Sequence, residues 1–218
     1  MQSEAVQDYV KQIYLLQASS GKATTSEIAD RMGVSAASAT SMVKKLDQLG
    51  LVEHRRYHGA HLTPAGERIA VEVLRHHRLL ELYLTQALGL SWDSVHVEAE
   101  RLEHVLSEEL EAALDRAHGY PDTDPHGDPI PSADLVLPPD RLRCLVDLEP
   151  GEHAVVRRVP DGDPALLRYL GDLGVVPAKT VTMVSKAPFG GPVTLDVDGT
   201  KQALGVGVAE MIRVDAPL

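Results

Sequence analysis

The sequence is poor in cysteine and has no long apolar run, and each absence excludes a class of structure. Its 218 residues include a single cysteine, Cys144, which excludes an intrachain disulfide framework and a cysteine-rich zinc site. No stretch of 18 or more apolar residues exists, so we expect no transmembrane helix. The N-terminus has no basic segment followed by an apolar one, so we expect no signal peptide and a cytoplasmic protein.

The sequence is also short of positive charge, because its net charge is −11. Such a balance is unfavourable for a DNA-binding protein, since phosphate attracts positive charge. The acidic residues are unevenly distributed along the chain. Residues 1–60 have almost no net charge, whereas residues 61–144 carry most of the acidic excess and seven of the ten histidines. Carboxylates and imidazoles together are metal ligands, although acidic helices are also commonly just solvated surface.

The N-terminal part has the pattern of a helix-turn-helix. Apolar periodicity predicts helices over residues 4–17, 26–32 and 36–49. Thr25 is a suitable N-cap for the second of these helices and Ser35 for the third. Gly33 lies between them and allows a tight turn, which completes the motif.

Two short strands, Leu51–Tyr57 and Ala60–Thr63, follow as a predicted hairpin wing. The polar face of the third helix and the basic wing suit DNA bases and phosphates. The candidate DNA-binding residues are Ser35, Ala37, Ser38, Thr40, Ser41, Lys44, Lys45, Arg55 and Arg56. The alternative is that the winged helix is only a protein-interaction module.

The rest of the chain predicts two further domains. Three helices are expected, over residues 64–88, from Ser91 to Leu106, and from Ser107 to Ala117. The proline-rich residues 119–140 predict an extended linker. Short β-type runs with one helix at 165–173 then predict a small five-strand-like barrel. The fold class is therefore mainly α with a small β domain, divided into residues 1–63, 64–140 and 141–218.

Histidines and carboxylates recur at helical spacing in the middle of the chain. His96, Glu100, Glu103 and His104 run beside an apolar stripe on one predicted helix. His77 and Glu81 form another i,i+4 pair upstream. These two helices could offer imidazoles and carboxylates to a shared centre, which suits manganese or ferrous iron. The same residues would also fit an ordinary solvated helix face.

Several motifs carry a resemblance that covers nearly the whole length. They are DYVKQIYLL, TSEIADRMGVSAASATSMVKKLDQLGLV, LTPAGE, HHRLLELYL, VHVEAERLEHVLSEELEAAL, HGDPIP and LRYLGDLGVVPAKTVTMV. The chain resembles the diphtheria-toxin-repressor family of iron- and manganese-dependent transcriptional regulators, in its three-domain form with a C-terminal SH3-like domain. The resemblance implies a homodimer, formed through the middle helices, that binds palindromic operator DNA.

The resemblance also implies a ligand set. It places Asp8 of the first helix with Glu100, Glu103 and His104 at the core ligand positions. His77, Glu81 and His96 fall on ancillary positions, although His77 belongs to the main cluster in manganese members. From the third domain, the nearest candidate ligands are Asp161 and Asp163.

Two departures bear on the metal. Iron-responsive members carry Cys where this chain has Glu100 and Met where it has Asp8, so the ligands here are closer to those of manganese-responsive members. Two-domain manganese members carry an acid where this chain has Lys11, and a lysine would repel a second cation. We therefore expect Mn²⁺, with Fe²⁺ as the alternative and Zn²⁺, Co²⁺ or Cd²⁺ binding in vitro.

The sequence thus predicts a metal-dependent transcriptional regulator, most simply a Mn²⁺-activated repressor of metal-uptake genes. A di-iron enzyme would need a second Glu-x-x-His pair, and neither a nucleophile motif nor a Gly-rich phosphate loop is evident, so we expect no enzyme. A winged-helix repressor that senses a small organic ligand is the remaining rival, and the sequence does not encode whether regulation is negative or positive.

Overall fold

The structure is a computed structural model that describes residues 3–55 and 59–215, and these residues group into two compact units. The first unit comprises Met1–His77, Leu102–Glu111 and Pro131–Leu137. The second unit comprises Arg78–Arg101, Ala112–Ile130 and Pro138–Leu218.

The first unit begins with three helices: α1 (Glu4–Ser20), α2 (Thr25–Met32) and α3 (Ala36–Gln48). Thr24, rather than the predicted Thr25, caps α2, because its side chain and that of Glu27 form a reciprocal capping box. Ser35 caps α3 as predicted, by accepting from the backbone of Ser38. These three helices share one apolar core with the strands that follow.

The predicted wing is a two-stranded antiparallel sheet of β1 (Val52–Arg55) and β2 (Gly59–Leu62). Ala60 of β2 also pairs with Ala23, which joins the wing to the segment before α2. β1 begins one residue later than predicted, and β2 begins and ends one residue earlier. The predicted end of β1 at Tyr57 lies outside the described residues, as do residues 56 and 58.

Three helices occupy the middle of the chain: α4 (Pro64–Gln86), α5 (Val95–Leu102) and α6 (Glu108–Ala117). Ser107 accepts from Leu110 N and caps α6 as predicted. The prediction that α5 runs from Ser91 to Leu106 is wrong at both ends. Ser91 opens a hydrogen-bonded turn instead, and the helix ends before Glu103, whose side chain is buried among tertiary partners that override local helix propensity.

The proline-rich residues 119–140 carry no helix or strand, as predicted, but part of this segment is packed firmly. Asp124, His126 and Ile130 are buried. Gly127 lies in the left-handed region with φ of 89°, and a Cβ there would overlap the carbonyl oxygen of Arg157 at 1.8 Å. Only glycine therefore allows this segment to lie against the backbone of residue 157.

The C-terminal sheet has six strands in the order β3-β8-β4-β5-β6-β7. The strands are β3 (Arg143–Cys144), β4 (His153–Arg158), β5 (Thr180–Lys186), β6 (Val193–Val197), β7 (Thr200–Leu204) and β8 (Arg213–Val214). The helices of this part are a 3-10 turn (Leu145–Asp147), α7 (Pro164–Asp172) and α8 (Val206–Ala209). Buried residues of the strands and of α7 form one apolar cluster, the C-terminal core. β7 was not predicted, because its sequence TKQAL lacks an apolar alternation.

Within the part of the chain that the structure describes, no helix is both long and apolar enough to cross a membrane.

Candidate metal centre

The exposed face of α3 carries the predicted DNA-binding side chains. Ala39, Val43 and Leu46 are buried in the core of the first unit. The opposite face exposes the following residues: Ser35, Ala37, Ser38, Ser41, Lys44 and Lys45. Thr40 is half-buried and donates to the carbonyl of Ala36. Arg55 ends β1, and Arg56 lies outside the described residues.

Three of the predicted ligands meet in the first unit. Asp8 of α1, Glu103 and His104 offer ligand atoms that lie within 4.8 Å of one another, and we call this group the α1 cluster. His104 Nε2 is 2.9 Å from Asp8 Oδ1 and 3.6 Å from Glu103 Oε1. His104 Nδ1 lies 2.7 Å from the Gln7 side-chain oxygen, to which it donates. That hydrogen bond leaves Nε2 as the ring nitrogen facing the carboxylates.

Glu103 is the buried centre of this cluster, with only 1% of its surface exposed. Lys11 Nζ lies 2.5 Å from Glu103 Oε1, and His77 Nδ1 donates to Oε2 across 2.5 Å. Burial opposes ionisation of Glu103, but the hydrogen bond from His77 and the charge of Lys11 outweigh it and lower its pKa. His76 Nδ1 also donates to the Glu103 carbonyl across 3.0 Å, which fixes the backbone of the turn.

Asp8 differs from Glu103 in both exposure and ionisation. Its side chain is 35% exposed, yet partial burial raises its pKa, with the charge of Glu103 adding to the shift and His104 and Lys11 opposing it. A carboxylate that is costly to ionise beside a second carboxylate gains stability from any cation that approaches both.

Glu100 and His104 do not share a helix face, although their spacing predicts that they do. α5 ends at Leu102, so Glu103 and His104 lie in the turn after it. Their side chains converge on Asp8 because of that turn and not because residues four apart share a helix face. Glu100 remains on α5, where its Oε1 is 3.6 Å from Nε2 of His96 and its side chain is 46% exposed.

The other predicted ligands lie in the second unit. His96 Nδ1 is 3.1 Å from Glu81 Oε1 and 4.0 Å from Asp161 Oδ2. Asp163 has a local role as the N-cap of α7, where its Oδ1 accepts from the backbone of Ala165. Whether Asp163 also binds metal stays a prediction.

A second group of possible ligands combines Glu81, which was predicted, with Asp124 and His126, which were not. Glu81, Asp124 and His126 are all buried and offer ligand atoms within 4.8 Å of one another, and we call this group the α4 cluster. His126 Nδ1 is 3.5 Å from Glu81 Oε2. Among the described residues, neither His126 Nδ1 nor Asp124 Oδ2 has a hydrogen-bond partner, although Arg78 Nε lies 3.8 Å from Asp124 Oδ2. Buried polar atoms of this kind call for an explanation.

The protonation of the α4 cluster reflects its burial. Burial, together with the charges of Asp128 and Glu81, raises the pKa of Asp124 well above its usual range. Burial opposes the charged form of His126, but the interaction with the nearby Glu81 carboxylate prevails and raises its pKa to about 9. Metal-free His126 is thus protonated at neutral pH. The available signal was the alternation of acid and histidine in DPHGD at residues 124–128, which we interpreted as linker.

Both clusters fit a hard or borderline divalent cation. Each combines two carboxylates with one imidazole, the donor types that suit manganese and ferrous iron. The only cysteine, Cys144, lies in β3, where its Sγ is 3.0 Å from the Arg213 guanidinium. Neither cluster therefore includes a thiolate that would favour a softer metal.

Three family models match consecutive parts of the chain. Residues 1–60 match the N-terminal DNA-binding domain of iron-dependent repressors, and residues 63–132 match their metal-binding and dimerisation domain. Residues 143–216 match the FeoA domain.

Full-length relatives agree with these matches. The chain is 35% identical over 203 residues to the iron-dependent repressor IdeR of Mycobacterium tuberculosis, covering 88% of this chain and 87% of that protein. It is 30% identical to the diphtheria toxin repressor of Corynebacterium glutamicum, over 95% of this chain and 94% of that protein. Among solved structures, a manganese-dependent transcriptional repressor in complex with manganese matches with a TM-score of 0.89 and 39% identity, covering 96% of this chain and 99% of that chain.

Proposed function

Because the chain belongs to the iron-dependent repressor family, we propose that it represses transcription by binding a palindromic operator as a homodimer when a divalent metal is bound. The family consists of transcriptional repressors and not of enzymes, and its members bind operator DNA as dimers. A divalent metal is the cofactor that these relatives support. A repressor acts where the chromosome is, so the proposal keeps the cytoplasmic location predicted from the sequence.

The observation that carries this proposal is the position of Asp8. Asp8 lies on α1, whose Val6, Val10 and Ile13 are buried in the apolar core shared with the DNA-reading helices. Its carboxylate points to His104, which follows α5. A ligand set that includes Asp8 and His104 therefore connects the helix-turn-helix to the turn after α5.

The residues of the α1 cluster set the response to metal. Asp8 and Glu103 repel each other in the metal-free protein, while His104 Nε2 and the two carboxylates converge on one point. When bound, a divalent cation supplies the positive charge that lets these carboxylates stay close. A difference of about 1–3 kcal/mol between the two states would change DNA affinity about 5- to 150-fold.

We assign a second metal centre to the α4 cluster, with His96 and Asp161 as nearby groups. The support is its burial and the two polar atoms, Asp124 Oδ2 and His126 Nδ1, that lack hydrogen-bond partners among the described residues. Because all its residues lie in the second unit, we expect this centre to stabilise that unit.

Exposed apolar residues support the dimer. Leu102, Val105 and Leu110 are 39%, 70% and 50% exposed, and they follow one another around the end of α5 and the start of α6. Several large apolar side chains exposed in one short stretch of sequence are typical of an interaction surface. We propose that a second copy of the chain covers them.

We propose Mn²⁺ as the physiological metal and repression of metal-uptake genes as the output. The carboxylate-rich donor sets favour manganese, and the structural neighbour described above is a manganese-dependent repressor in complex with manganese. Fe²⁺ is the alternative, because IdeR is named an iron-dependent repressor. A small organic effector is the remaining rival, and it predicts no dependence on any metal.

The test is fluorescence anisotropy with an operator fragment from the promoter of the chain's own gene or of a metal-transport gene. Metal-free protein is titrated with Mn²⁺, Fe²⁺, Zn²⁺ and Co²⁺ in turn. We expect Mn²⁺ to raise DNA affinity about 5- to 150-fold, and Glu103→Gln to lose this effect. Glu109→Gln, at an exposed acid of α6, is the matched control and should respond as the parent does. DNA affinity that no metal changes would reject the proposal.

A further inference from the structure

Trp92 contacts the α4 cluster through its backbone. His126 Nε2 donates to the Trp92 carbonyl across 2.7 Å. A histidine that donates one ring N–H to a carbonyl presents the lone pair of its other nitrogen to a metal. In this chain that other nitrogen is Nδ1, which faces Glu81 at 3.5 Å. The Trp92 carbonyl thus selects the side of the ring that binds.

The indole ring of Trp92 fixes the imidazole from a second direction. The two rings stack with their centroids 5.8 Å apart and an angle of 25° between their planes. Stacking restrains rotation of the imidazole plane about the Cβ–Cγ bond. The hydrogen bond to the carbonyl restrains the position of Nε2. Both constraints on His126 come from one residue.

The same indole belongs to the surface of the C-terminal core. It packs against that apolar cluster, and a Cβ placed on Gly171 of α7 would lie 3.4 Å from its Cζ2. The next residue, Asp93, accepts from Arg168 of α7 across 2.8 Å. Residues 92 and 93 are therefore attached to α7 by one apolar contact and one ion pair.

We propose that Trp92 is a positioning residue that makes metal binding at the α4 cluster depend on the C-terminal core. The inference rests on the proposed second metal centre. Moving α7 displaces the indole, which stacks on His126, and with it the backbone of residue 92, whose carbonyl accepts the hydrogen bond from His126. Because binding couplings are reciprocal, metal at the α4 cluster must stabilise the attachment of residues 92 and 93 to α7 by the same factor.

The test uses a His104→Ala parent, in which the α1 cluster has lost its imidazole. Mn²⁺ binding is measured by isothermal titration calorimetry for this parent and for Trp92→Ala and Gly171→Leu made in it. Groups that orient metal ligands typically contribute 10- to 100-fold to affinity. We expect Trp92→Ala to weaken binding about 10-fold or more, and Gly171→Leu to weaken it severalfold although residue 171 touches no candidate ligand.

Gly171→Leu keeps the test meaningful if Trp92→Ala fails to fold, because leucine is a far better helix former than glycine and will not weaken α7 itself. Tyr169→Ala is the matched control: Tyr169 lies on α7, is exposed, and donates to the carbonyl of Ala203, away from residues 92 and 93. We expect it to bind Mn²⁺ within twofold of the parent. Far-ultraviolet circular dichroism establishes that each variant is folded.

A second readout comes from the fact that Trp92 is the only tryptophan of the chain. Mn²⁺ should change the fluorescence of the parent, and His126→Ala in the same background should abolish the change. If folded Trp92→Ala and Gly171→Leu both bind Mn²⁺ within twofold of the parent, the role of Trp92 is overturned while the metal centre stands. If the parent binds no Mn²⁺, the assignment of a metal centre to the α4 cluster is wrong, and so is the proposed role of Trp92.

Discussion

The α1 cluster and the α4 cluster contain the same chemical groups, two carboxylates and one imidazole, in different settings. The α1 cluster is half-open to solvent at Asp8, and its buried carboxylate, Glu103, is already paired with Lys11. The α4 cluster is buried throughout, and the cation beside it is the guanidinium of Arg78, whose Nε lies 3.8 Å from Asp124 Oδ2. Similar donor sets can therefore serve different purposes. We expect the α1 cluster to act as a metal-dependent switch and the α4 cluster to stabilise the second unit.

The difference also lies in what each cluster connects. Asp8 brings α1, and with it the core of the helix-turn-helix, to the turn that follows α5. The α4 cluster connects α4 to the proline-rich segment. We therefore expect the first cluster to control DNA binding and the second to control the stability of the second unit.

Replacing Lys11 should produce the largest effect, a loss of folding stability. Lys11→Met leaves Glu103 buried with one cationic partner fewer, and breaking a buried ion pair in this way costs about 3 kcal/mol or more. We expect the metal-free protein to lose about that much stability in urea unfolding, and the Mn²⁺-saturated protein to lose less, because a bound cation compensates Glu103.

The control for this prediction is Lys179→Met, which removes the partly exposed pair between Lys179 and Asp198. Surface pairs contribute about 0–1 kcal/mol. Equal losses in the two variants, or a loss in Lys11→Met that Mn²⁺ does not reduce, would show that Lys11 is not tied to the metal site.

Replacing one histidine in each cluster separates their roles. His104→Ala should remove the stimulation of DNA binding by Mn²⁺ entirely, a loss of about 5- to 150-fold. His126→Ala should leave part of it, because no residue of its cluster lies on α1. Anisotropy titrations with the operator measure both, with His153→Ala at an exposed position of β4 as the control. Complete loss in His126→Ala would contradict the division between the clusters.

The affinity of the α4 cluster for metal should depend on pH. His126 is protonated in the metal-free protein because its pKa is about 9, so a metal must displace that proton. Below pH 9 the proton competes more strongly as pH falls, and the affinity of the α4 cluster should rise up to about tenfold per pH unit between pH 6 and 8. Calorimetry in buffers of different ionisation enthalpy, in the His104→Ala protein, measures the proton release directly. A pH-independent affinity would mean that His126 is not a ligand.

The smallest effect on DNA affinity is expected for a substitution outside both clusters. Lys44→Ala removes one exposed cation from α3 and should weaken DNA binding for all operator sequences, while reducing the slope of log affinity against log salt by about 1. Its ratio of affinities with and without Mn²⁺ should stay that of the parent. A changed ratio would indicate that α3 takes part in metal control as well as in DNA contact.

The sequence predicted best those elements whose ends are marked by local chemistry. Ser35 and Gly33 placed α3, and Ser107 placed α6, because capping is decided within a few residues. The end of α5 was missed, since neither glycine nor proline marks it. Contacts of Glu103 with Lys11 and His77, which are distant in sequence, coincide with that end.

The same distinction applies to the candidate metal ligands. Spacing and resemblance predicted Glu103 and His104, the resemblance alone predicted Asp8, and the structure brings the three together. Asp124 and His126 were overlooked because a proline-rich stretch predicts exposure, whereas their burial depends on the close approach that Gly127 allows. Burial of a segment without regular structure is decided by its neighbours in space, which a single sequence does not display.

Lys11 has a consequence for the protein as a sensor. A protein that reports scarcity must persist when its signal is absent, and a metal site made of carboxylates alone would push itself apart whenever the metal runs out. The ammonium group beside Glu103 is a cation that cannot diffuse away. We expect it to keep the interior of the first unit folded through starvation, so that loss of metal releases the operator without destroying the repressor and the next metal ion finds its site in place.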